Sequence, residues 1–392
     1  MEMKDLVEKY RDYVCDIRRE FHQYPELSMQ EVETTKRIAQ KLDEMGIPYE
    51  INPEKNTGLV GVIKGAHEGN AVALRADIDA LPVTETTGLP FASKNVGKMH
   101  ACGHDNHMAM LLGAAKMLLD MKDEIYGTVY LVFQPAEEIG QGAPYMMRFG
   151  DWFSKVGAIF GGHIWADTPA GKISACSGPF MAATDKFTIK IHGKQSHGSQ
   201  PQAGIDAVVV GSAMVMNLQT LVSRQFGAVD PVVVTVGTFK GGDRWNIVGG
   251  EAYLDGTTRY FDKKIGKELK EKMERIVKST AEAYGATAEL DYEYIVPPTV
   301  NDAACTDIVK QAVAEVLGKD ALYDHDLVMG GEDFAFYQDK KPGSFLLVGT
   351  YNPACNAVYP NHSNYFTSDE SILSGGSGVY AQTAIDWLKA NK

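Results

Sequence analysis

The spacing of apolar residues changes along the first half of the chain, and each spacing predicts a different element. In the first 45 residues the apolar positions recur at helical intervals and predict two helices. The second of these helices should begin at a capping box, Ser28-x-x-Glu31, and end at Gly46. A helical stretch at 107–119 and four short apolar runs follow, and the runs cover residues 59–63, 71–74, 129–133 and 158–160. Alternating strands and helices predict an α/β domain of three layers around a mostly parallel sheet.

A different order of elements begins near residue 184. A strand, a helix, two strands, a second helix and a last strand follow one another, which is the ferredoxin-like β-α-β-β-α-β order. The strands are predicted at 187–191, 232–239, 251–259 and 288–294, and the helices at 205–221 and 267–284. After Pro297-Pro298 the chain should return to the first domain, with a helix at 306–317, a strand at 344–349 and a final helix at 377–389. We therefore predict that residues 1–183 and 297–392 form one domain, into which residues 184–296 are inserted as a two-layer α+β domain.

The composition is that of a globular protein with an acidic surface. Of the 392 residues, 44% are hydrophobic and 23% are charged, and the formal net charge at pH 7 is −13. Nonspecific binding to nucleic acids and to anionic membranes depends on positive charge, so both classes of partner are disfavoured. The N-terminal segment lacks the basic and apolar regions of a signal peptide, and apolar windows such as 207–216 are shorter than the ~20 residues that span a bilayer. Since the five cysteines are scattered, we expect a cytoplasmic protein without disulfides.

Unusual polar residues follow four of the predicted strands. The carboxyl ends of parallel strands meet at one edge of an α/β sheet, where such proteins bind their ligands. We therefore expect these side chains to lie close to one another and to the segment Cys102-Gly-His104. The residues that follow the strands are Asp77 and Asp79, Glu137 and Glu138, His163, and His362. Because thiolates, imidazoles and carboxylates suit zinc and related divalent ions, the sequence predicts a metal site with one of the adjacent glutamates free to act as a base.

Each of these features also has an ordinary explanation. A single cysteine is most often packed in a core, a Glu-Glu pair often ends a solvated loop, and a histidine such as His22 or His325 is usually a surface or hydrogen-bonded residue. The motifs of several competing enzyme classes are absent from the sequence. It contains no G-x-x-x-x-G-K-[ST] phosphate-binding loop, no G-x-S-x-G nucleophile elbow, no H-E-x-x-H zinc motif and no P-C-x-x-C deaminase motif. The metal site is the hypothesis that accounts for all of these residues gathering at one edge.

Four motifs resemble those of a known family. MHACGHD, QPAEE, a strand that ends in GGH, and GGEDFAFY are similar to the motifs of the aminoacylase-like metallopeptidase superfamily. Within it they resemble the amidohydrolase branch that contains hippurate hydrolase, N-acetyl-diaminopimelate deacetylase and the plant auxin-conjugate hydrolases. The resemblance extends from FHQYPELS to the last helix. It implies cleavage of the amide bond of N-acyl amino acids by two divalent metal ions, held between a catalytic domain and an inserted lid domain.

The resemblance also implies a role for individual residues. Cys102 matches the thiolate that bridges the two ions, and Glu137 matches the general base. His197 in the inserted domain matches a histidine that reaches the site of a neighbouring subunit and steadies the reacting carbonyl oxygen, so a homodimer is expected. Asn246 matches an asparagine of the same site, and Arg259 matches an arginine associated with the substrate carboxylate. The remaining ligands would be His104, Glu138, His163 and His362, with Asp77 and Asp79 as supporting residues.

The chain departs from the family pattern beside several of these positions. Gln195 and Ser196 replace the usual glycines before the lid histidine, Gln202 replaces a histidine, and Gly249 replaces a proline. The segment PNHSNYF around His362 is also unusual. These changes leave open which acyl group and which amino acid the substrate contains. The identity of the metal is also open: zinc and manganese are favoured, and cobalt and nickel fit the same ligands. A metallo-dipeptidase or carboxypeptidase of the same superfamily, a non-catalytic metal-binding protein and a redox thiol protein remain as alternatives.

Overall fold

A computed structural model describes residues 2–392, and the chain divides into two compact units. The first, called here the large unit, comprises the chain up to Gly178 together with Val300–Asp326 and Asp333–Lys392. The second, called the inserted unit, comprises Pro179–Thr299 and Leu327–Glu332. The insertion predicted at residues 184–296 therefore lies within the second unit.

Three helices and three strands come first, and helices and strands then alternate in groups up to the start of the inserted unit. In chain order they are α1 (Met3–Lys9), α2 (Arg11–His22), α3 (Val32–Glu44), β1 (Tyr49–Ile51), β2 (Leu59–Lys64), β3 (His67–Asp77), α4 (His104–Asp120), β4 (Tyr126–Gln134), α5 (Gly142–Met147), α6 (Trp152–Lys155), β5 (Ala158–Pro169) and β6 (Ile173–Ser174). Every strand predicted in this part of the sequence is present, and the predicted helix at 107–119 extends from His104.

The rest of the chain contains the inserted unit and the return to the large unit. Its elements are β7 (Gly178–Met181), β8 (Ala183–His192), β9 (Ser196–His197), α7 (Ala207–Thr220), β10 (Val232–Gly241), β11 (Ile247–Val248), β12 (Glu251–Tyr260), α8 (Lys263–Ala283), β13 (Thr287–Val296), β14 (Thr299–Asn301), α9 (Ala303–Val316), α10 (Ala335–Gln338), β15 (Gly343–Tyr351) and α11 (Leu373–Ala390).

The large unit is built on one seven-stranded sheet in the order β1-β2-β4-β3-β5-β15-β6. The four strands β4, β3, β5 and β15 are parallel to one another, while β2 and β6 run in the opposite direction. Helices cover both faces. The helices α4 and α11 pack on one face, and the short helices α5 and α10 contact β4 and β15 on the other, where the rings of Phe334 and Phe345 lie 5.0 Å apart. These layers confirm the predicted three-layer α/β fold with a mostly parallel sheet, and they set the carboxyl ends of β3 and β4 side by side.

The N-terminal prediction of two helices is wrong, because the first 45 residues form three. Tyr10, with φ −104° and ψ 9°, separates α1 from α2. The capping box is also wrong, since α3 begins after Glu31 without a side-chain cap. Ser28 instead donates its hydroxyl to Asp79 Oδ2 at 2.6 Å, a charged acceptor that the local sequence does not reveal. Gly46 ends the helix as predicted, with φ +67° in the left-handed region.

The inserted unit confirms the ferredoxin-like order. Its four-stranded antiparallel sheet has the order β10-β12-β8-β13, and α7 and α8 pack against it. Both helices begin at an aspartate whose side chain accepts backbone amides of the first turn, Asp206 for α7 and Asp262 for α8. This unit has its own hydrophobic core, separate from that of the large unit.

One segment of residues 2–392, Ala207–Gln225, is long and apolar enough to cross a membrane by length and composition alone. Core helices of folded domains meet the same two criteria. Here Val210, Met214 and Leu218 are fully buried in the core of the inserted unit. Packing against the sheet accounts for the apolar residues on that side of the helix.

Candidate metal centre

Cys102 lies at the centre of a cluster of imidazoles and carboxylates. Its Sγ is 3.2 Å from His163 Nε2 and 3.3 Å from His362 Nε2. Burial, followed by the charges of Glu138 and Glu137, raises the pKa of the Cys102 thiol well above its ordinary range. A cation beside Sγ would reverse this effect and stabilise the thiolate.

Gly103 places Cys102 beside the sheet. Its φ of +93° lies in the left-handed region, and a Cβ at this position would come within 2.3 Å of Ile164 Cδ1. The left-handed φ favours glycine here, and a Cβ would also force the side chain of Ile164 to shift. The chain then enters α4 at His104, so the thiol and the first imidazole of the helix face the same cluster.

His104 has one ring nitrogen bound and one without a partner. Its Nδ1–H donates to Asp79 Oδ1 at 3.2 Å, which fixes the ring and leaves Nε2 directed at Glu138 Oε1, 3.8 Å away. Among residues 2–392, neither this Nε2 nor this Oε1 has a hydrogen-bond partner, although both atoms are buried. Buried polar atoms are nearly always paired, because an unpaired one costs about 1–3 kcal/mol. A cation between the two atoms would satisfy both, and a carboxylate behind a ligand histidine is the usual support in metal sites.

The charges in the cluster favour a cation. Burial alone would lower the pKa of His104, but Asp77, Asp79 and Glu138 raise it to about 10. Burial also opposes ionisation of Asp79, yet hydrogen bonds from His104 and Ser28 hold the pKa of Asp79 below its ordinary value. The site therefore carries excess negative charge that a divalent ion can balance in place of the proton on His104.

The five ligands predicted from the sequence lie together in the structure. Three overlapping groups have ligand atoms within 4.8 Å of one another. They are Cys102 with His104 and His163, Cys102 with Glu138 and His362, and His104 with Glu137 and Glu138. Cys102 belongs to two of these groups, so its sulfur could serve as a ligand at either of two cation sites.

His107 is a member of the cluster to which the sequence assigned no role. Its Nδ1–H donates to Asp77 Oδ1, and its Nε2 accepts the amide of Ile164 at 2.8 Å. Both ring nitrogens are therefore used, and neither is available to an ion. His107 lies one turn after His104 on α4, and that i, i+3 spacing is the signal that could have marked it.

Asp77 is also a supporting residue rather than a free ligand. Its second oxygen accepts Arg75 Nη1 at 2.7 Å, and Arg75 Nη2 donates to Asp333 Oδ1 at 2.9 Å. Asp333, from the motif GGEDFAFY, also accepts Gln134 Nε2 and the amide of Ala143. This buried network ties the end of β3 to the end of β4 and to α5.

The two glutamates project from a short turn, Glu137–Ile139, at the end of β4. Asp79 accepts the amide of Glu137 with Oδ1 at 3.2 Å and the amide of Glu138 with Oδ2 at 3.1 Å. The same carboxylate that orients His104 thus anchors both glutamates. Each glutamate side chain is about one-tenth exposed, so the pair borders the solvent while His104 is fully buried.

In the inserted unit the structure brings two of the three candidate residues together. His197 on β9 pairs with Ile247 on β11, and the carbonyl of Asn246 accepts the amide of Gly198 at 2.9 Å. His197 Nδ1 accepts the amide of Ser199 at 3.1 Å, so the neutral imidazole carries its hydrogen on Nε2. The side-chain Oδ1 of Asn246 is buried and has no partner within residues 2–392.

Arg259 does not join these two residues. The strand β12 begins at Glu251, shortly after Asn246 in the chain. Arg259 lies eight residues further along this strand, which is about 26 Å of extended chain. The guanidinium is half-buried and donates to the carbonyl of Thr258 at 2.8 Å and to the hydroxyl of Thr257. Burial lowers the pKa of Arg259, and the charge of Asp185 offsets part of this effect.

Comparison with known proteins gives matches over nearly the whole chain. The model of Peptidase family M20/M25/M40 matches residues 73–386. Thermostable carboxypeptidase 1 of Saccharolobus solfataricus is 39% identical over 98% of this chain and 97% of its own length. N-acetylcysteine deacetylase of Bacillus subtilis is 40% identical over 97% of this chain and 98% of its own. The crystal structure of Bacillus subtilis YxeP, a dinuclear metal binding peptidase from the M20 family, superposes with a TM-score of 0.87 at 37% identity, covering 97% of this chain and 99% of that one.

Proposed function

Because this chain belongs to Peptidase family M20/M25/M40, we propose that it is a metal-dependent hydrolase of the amide bond in N-acyl amino acids. The observation that carries the proposal is the buried cluster around Cys102, in which His104 Nε2 and Glu138 Oε1 lack partners. The deacetylase relative, at 40% identity, supports the N-acyl amino acid as substrate.

Five residues would hold two divalent ions, for which we propose zinc or manganese. They are Cys102, His104, Glu138, His163 and His362. When bound, such ions lower the pKa of water and polarise a carbonyl oxygen. The residues of the chain then supply orientation, proton transfer and recognition of the substrate.

Glu137 is the proposed general base. Its Oε2 is 4.0 Å from His104 Nε2, so the carboxylate borders the cluster, and its backbone is fixed by Asp79. Glu137 takes a proton from the attacking water and returns it to the nitrogen of the leaving amine. In this way one carboxylate serves both halves of the amide cleavage.

The residues of the inserted unit are proposed to act on the substrate. His197, with its hydrogen on Nε2, donates to the carbonyl oxygen as negative charge develops there, and Asn246 supplies a further polar contact. Arg259 binds the free carboxylate of the amino-acid half, for which the planar guanidinium is suited. These roles derive from the family resemblance.

We also propose a homodimer formed through the inserted unit. Val209, Met216 and Val222 are exposed on α7 and the turn that follows it, and a second subunit would cover these apolar side chains. Light scattering coupled to size exclusion should give about twice the monomer mass of 42.8 kDa. A monomer with full activity would contradict the dimer and the role of His197 across it.

A carboxypeptidase is the second candidate. It is favoured by the thermostable carboxypeptidase relative, which is 39% identical over 98% of this chain. The same cluster and the same base would serve a peptide bond beside a C-terminal residue. The two candidates therefore differ in the group on the acyl side of the amide rather than in the chemistry.

The decisive experiment measures amine release from the protein loaded with Mn²⁺ or Zn²⁺. The panel contains N-acetyl-methionine, N-acetyl-cysteine, hippurate, N-acetyl-diaminopimelate, free dipeptides and N-blocked dipeptides. Chelator-sensitive release from the N-acyl amino acids supports the first proposal, and release from dipeptides or blocked dipeptides alone supports the second. Metal binding without release from any member would contradict both and favour a binding protein.

A further inference from the structure

Three consecutive amides at the end of β4 are held by two buried carboxyl groups. The amide of Ala136 donates to Glu31 Oε1 at 2.9 Å, and the next two amides, those of Glu137 and Glu138, donate to Asp79. Glu31 lies just before α3, more than one hundred residues away along the chain. The turn that carries both glutamates is therefore held by hydrogen bonds to side chains that are distant in the sequence.

Ala136 is the residue of this turn that most needs such support. Its backbone has φ +56° and ψ +38°, in the left-handed region that alanine rarely adopts. A residue in this region is strained and persists only where its surroundings enforce it. The carbonyl of Ala136 accepts the amides of Gln141 and Gly142, so Glu31 supplies the contact on the amide side.

We propose that Glu31 is a positioning residue, which fixes Ala136 in its left-handed conformation and thereby sets the directions of Glu137 and Glu138. The roles of those two glutamates as base and ligand rest on the proposed function. The contact of Glu31 with the turn on which this role depends is its hydrogen bond to the backbone amide of Ala136.

The environment of Glu31 indicates which chemical group the turn requires. Burial, followed by the charge of Asp79, raises the pKa of Glu31 to about 8. Glu31 is therefore neutral at pH 7 beside an ionised Asp79, and it serves as a carbonyl acceptor. A glutamine side chain has the same length and also offers a carbonyl oxygen as acceptor. An aspartate keeps the carboxyl group, but its side chain is shorter by one methylene.

The test compares Glu31→Gln with Glu31→Asp in the metal-loaded protein. Amide hydrogen exchange of the peptide that contains residues 136–138 is the first measurement, since it needs no substrate. Steady-state kinetics on the best substrate of the panel is the second. Glu26 provides the matched control, because its Oε2 accepts the amide and the hydroxyl of Thr34 in the same segment without reaching the turn.

We expect Glu31→Asp to speed exchange of the turn at least about 10-fold and to lower kcat by about 10- to 100-fold, with KM changed less than about 3-fold. Glu31→Gln should stay within about 3-fold of the unmodified protein in both measurements, with the same pH profile of kcat. The Glu26→Gln and Glu26→Asp variants should lower stability at most and leave exchange of the turn unchanged.

Two results would overturn the proposal. If Glu31→Asp leaves exchange at the turn and kcat unchanged, Glu31 is only a core residue. If Glu31→Gln fails as Glu31→Asp does, the charge of Glu31 rather than its acceptor oxygen is required. Should no substrate of the panel be cleaved, the exchange measurement still decides whether Glu31 holds the turn, so failure of the proposed function is recognised separately.

Discussion

The two units of this protein hold their candidate residues in opposite ways. In the large unit His104 is fully buried, one of its ring nitrogens is bound by Asp79, and the other has no partner. In the inserted unit His197 is exposed, and the partner of its Nδ1 is Ser199 in its own loop. Both rings are held through Nδ1, but only in His104 is the other ring nitrogen buried without a hydrogen-bond partner.

This difference in burial and pairing predicts that metal binding and turnover depend on the two units differently. A buried unpaired nitrogen costs free energy in the absence of a ligand, so the cluster in the large unit is built for a cation whatever the substrate is. An exposed imidazole costs nothing in water, so His197 acquires a role only when a substrate is present. Metal binding should therefore depend on the large unit alone, and turnover on both.

The largest expected effect comes from Glu137→Gln in the large unit. The amide cannot accept a proton, so kcat should fall about 10³- to 10⁴-fold. Metal content, measured by mass spectrometry or atomic emission, should not change, because the five proposed ligands are other residues. Loss of metal in this variant would make Glu137 a ligand and would remove the distinction between the two adjacent glutamates.

His197→Ala tests the other side of the comparison. If His197 is the proposed donor to the developing oxyanion, its removal should lower kcat by about 10²- to 10³-fold. Metal affinity should stay the same, because none of the proposed ligands belongs to the inserted unit. His192→Ala is the matched control, since His192 is a partly exposed histidine of the same unit that pairs with Glu251. A drop in metal affinity for His197→Ala would show that metal binding does not depend on the large unit alone.

Asp79→Asn should weaken metal binding by about 10- to 100-fold, because the amide no longer accepts all of the hydrogen bonds that orient His104 and the two glutamates. Titration with Co²⁺, followed by its visible absorption, measures the affinity. Ser28→Ala removes only the hydroxyl donor to Asp79 and should have a smaller effect of the same sign. Unchanged affinity in Asp79→Asn would show that the cluster does not need its supporting carboxylate.

Much of the fold, and the position of the cluster, could be predicted from local sequence because both follow from local rules. Apolar runs predict the strands, and the rule for parallel sheets predicts which strand ends meet. His107 and Glu31 could not be assigned in this way. His107 depends on Asp77 in another element, and Glu31 depends on the amide of Ala136, more than one hundred residues away. The capping box failed for the same reason, since Ser28 is bound by Asp79.

The smallest expected effect concerns stability and again involves Glu31. The ordinary pKa of a glutamate is 4.5, and that of Glu31 in the folded protein is raised to about 8. Between these values the folded state holds a proton that the unfolded state has lost. The stability that Glu31 contributes is therefore fully present below pH 4.5 and is lost as the pH rises through 8.

Glu31→Gln should remove this dependence, because an amide does not titrate. Between pH 6 and pH 8 the unmodified protein should lose about 2 kcal/mol more than the variant, which corresponds to a few degrees of apparent Tm. Scanning calorimetry of both metal-loaded proteins across this range measures the difference, and any pH dependence of metal binding itself is common to the two. The effect should appear only in the transition of the large unit, which contains Glu31. If the two proteins lose stability in parallel, Glu31 is already ionised at neutral pH, and the acceptor that holds Ala136 is a carboxylate rather than a neutral acid.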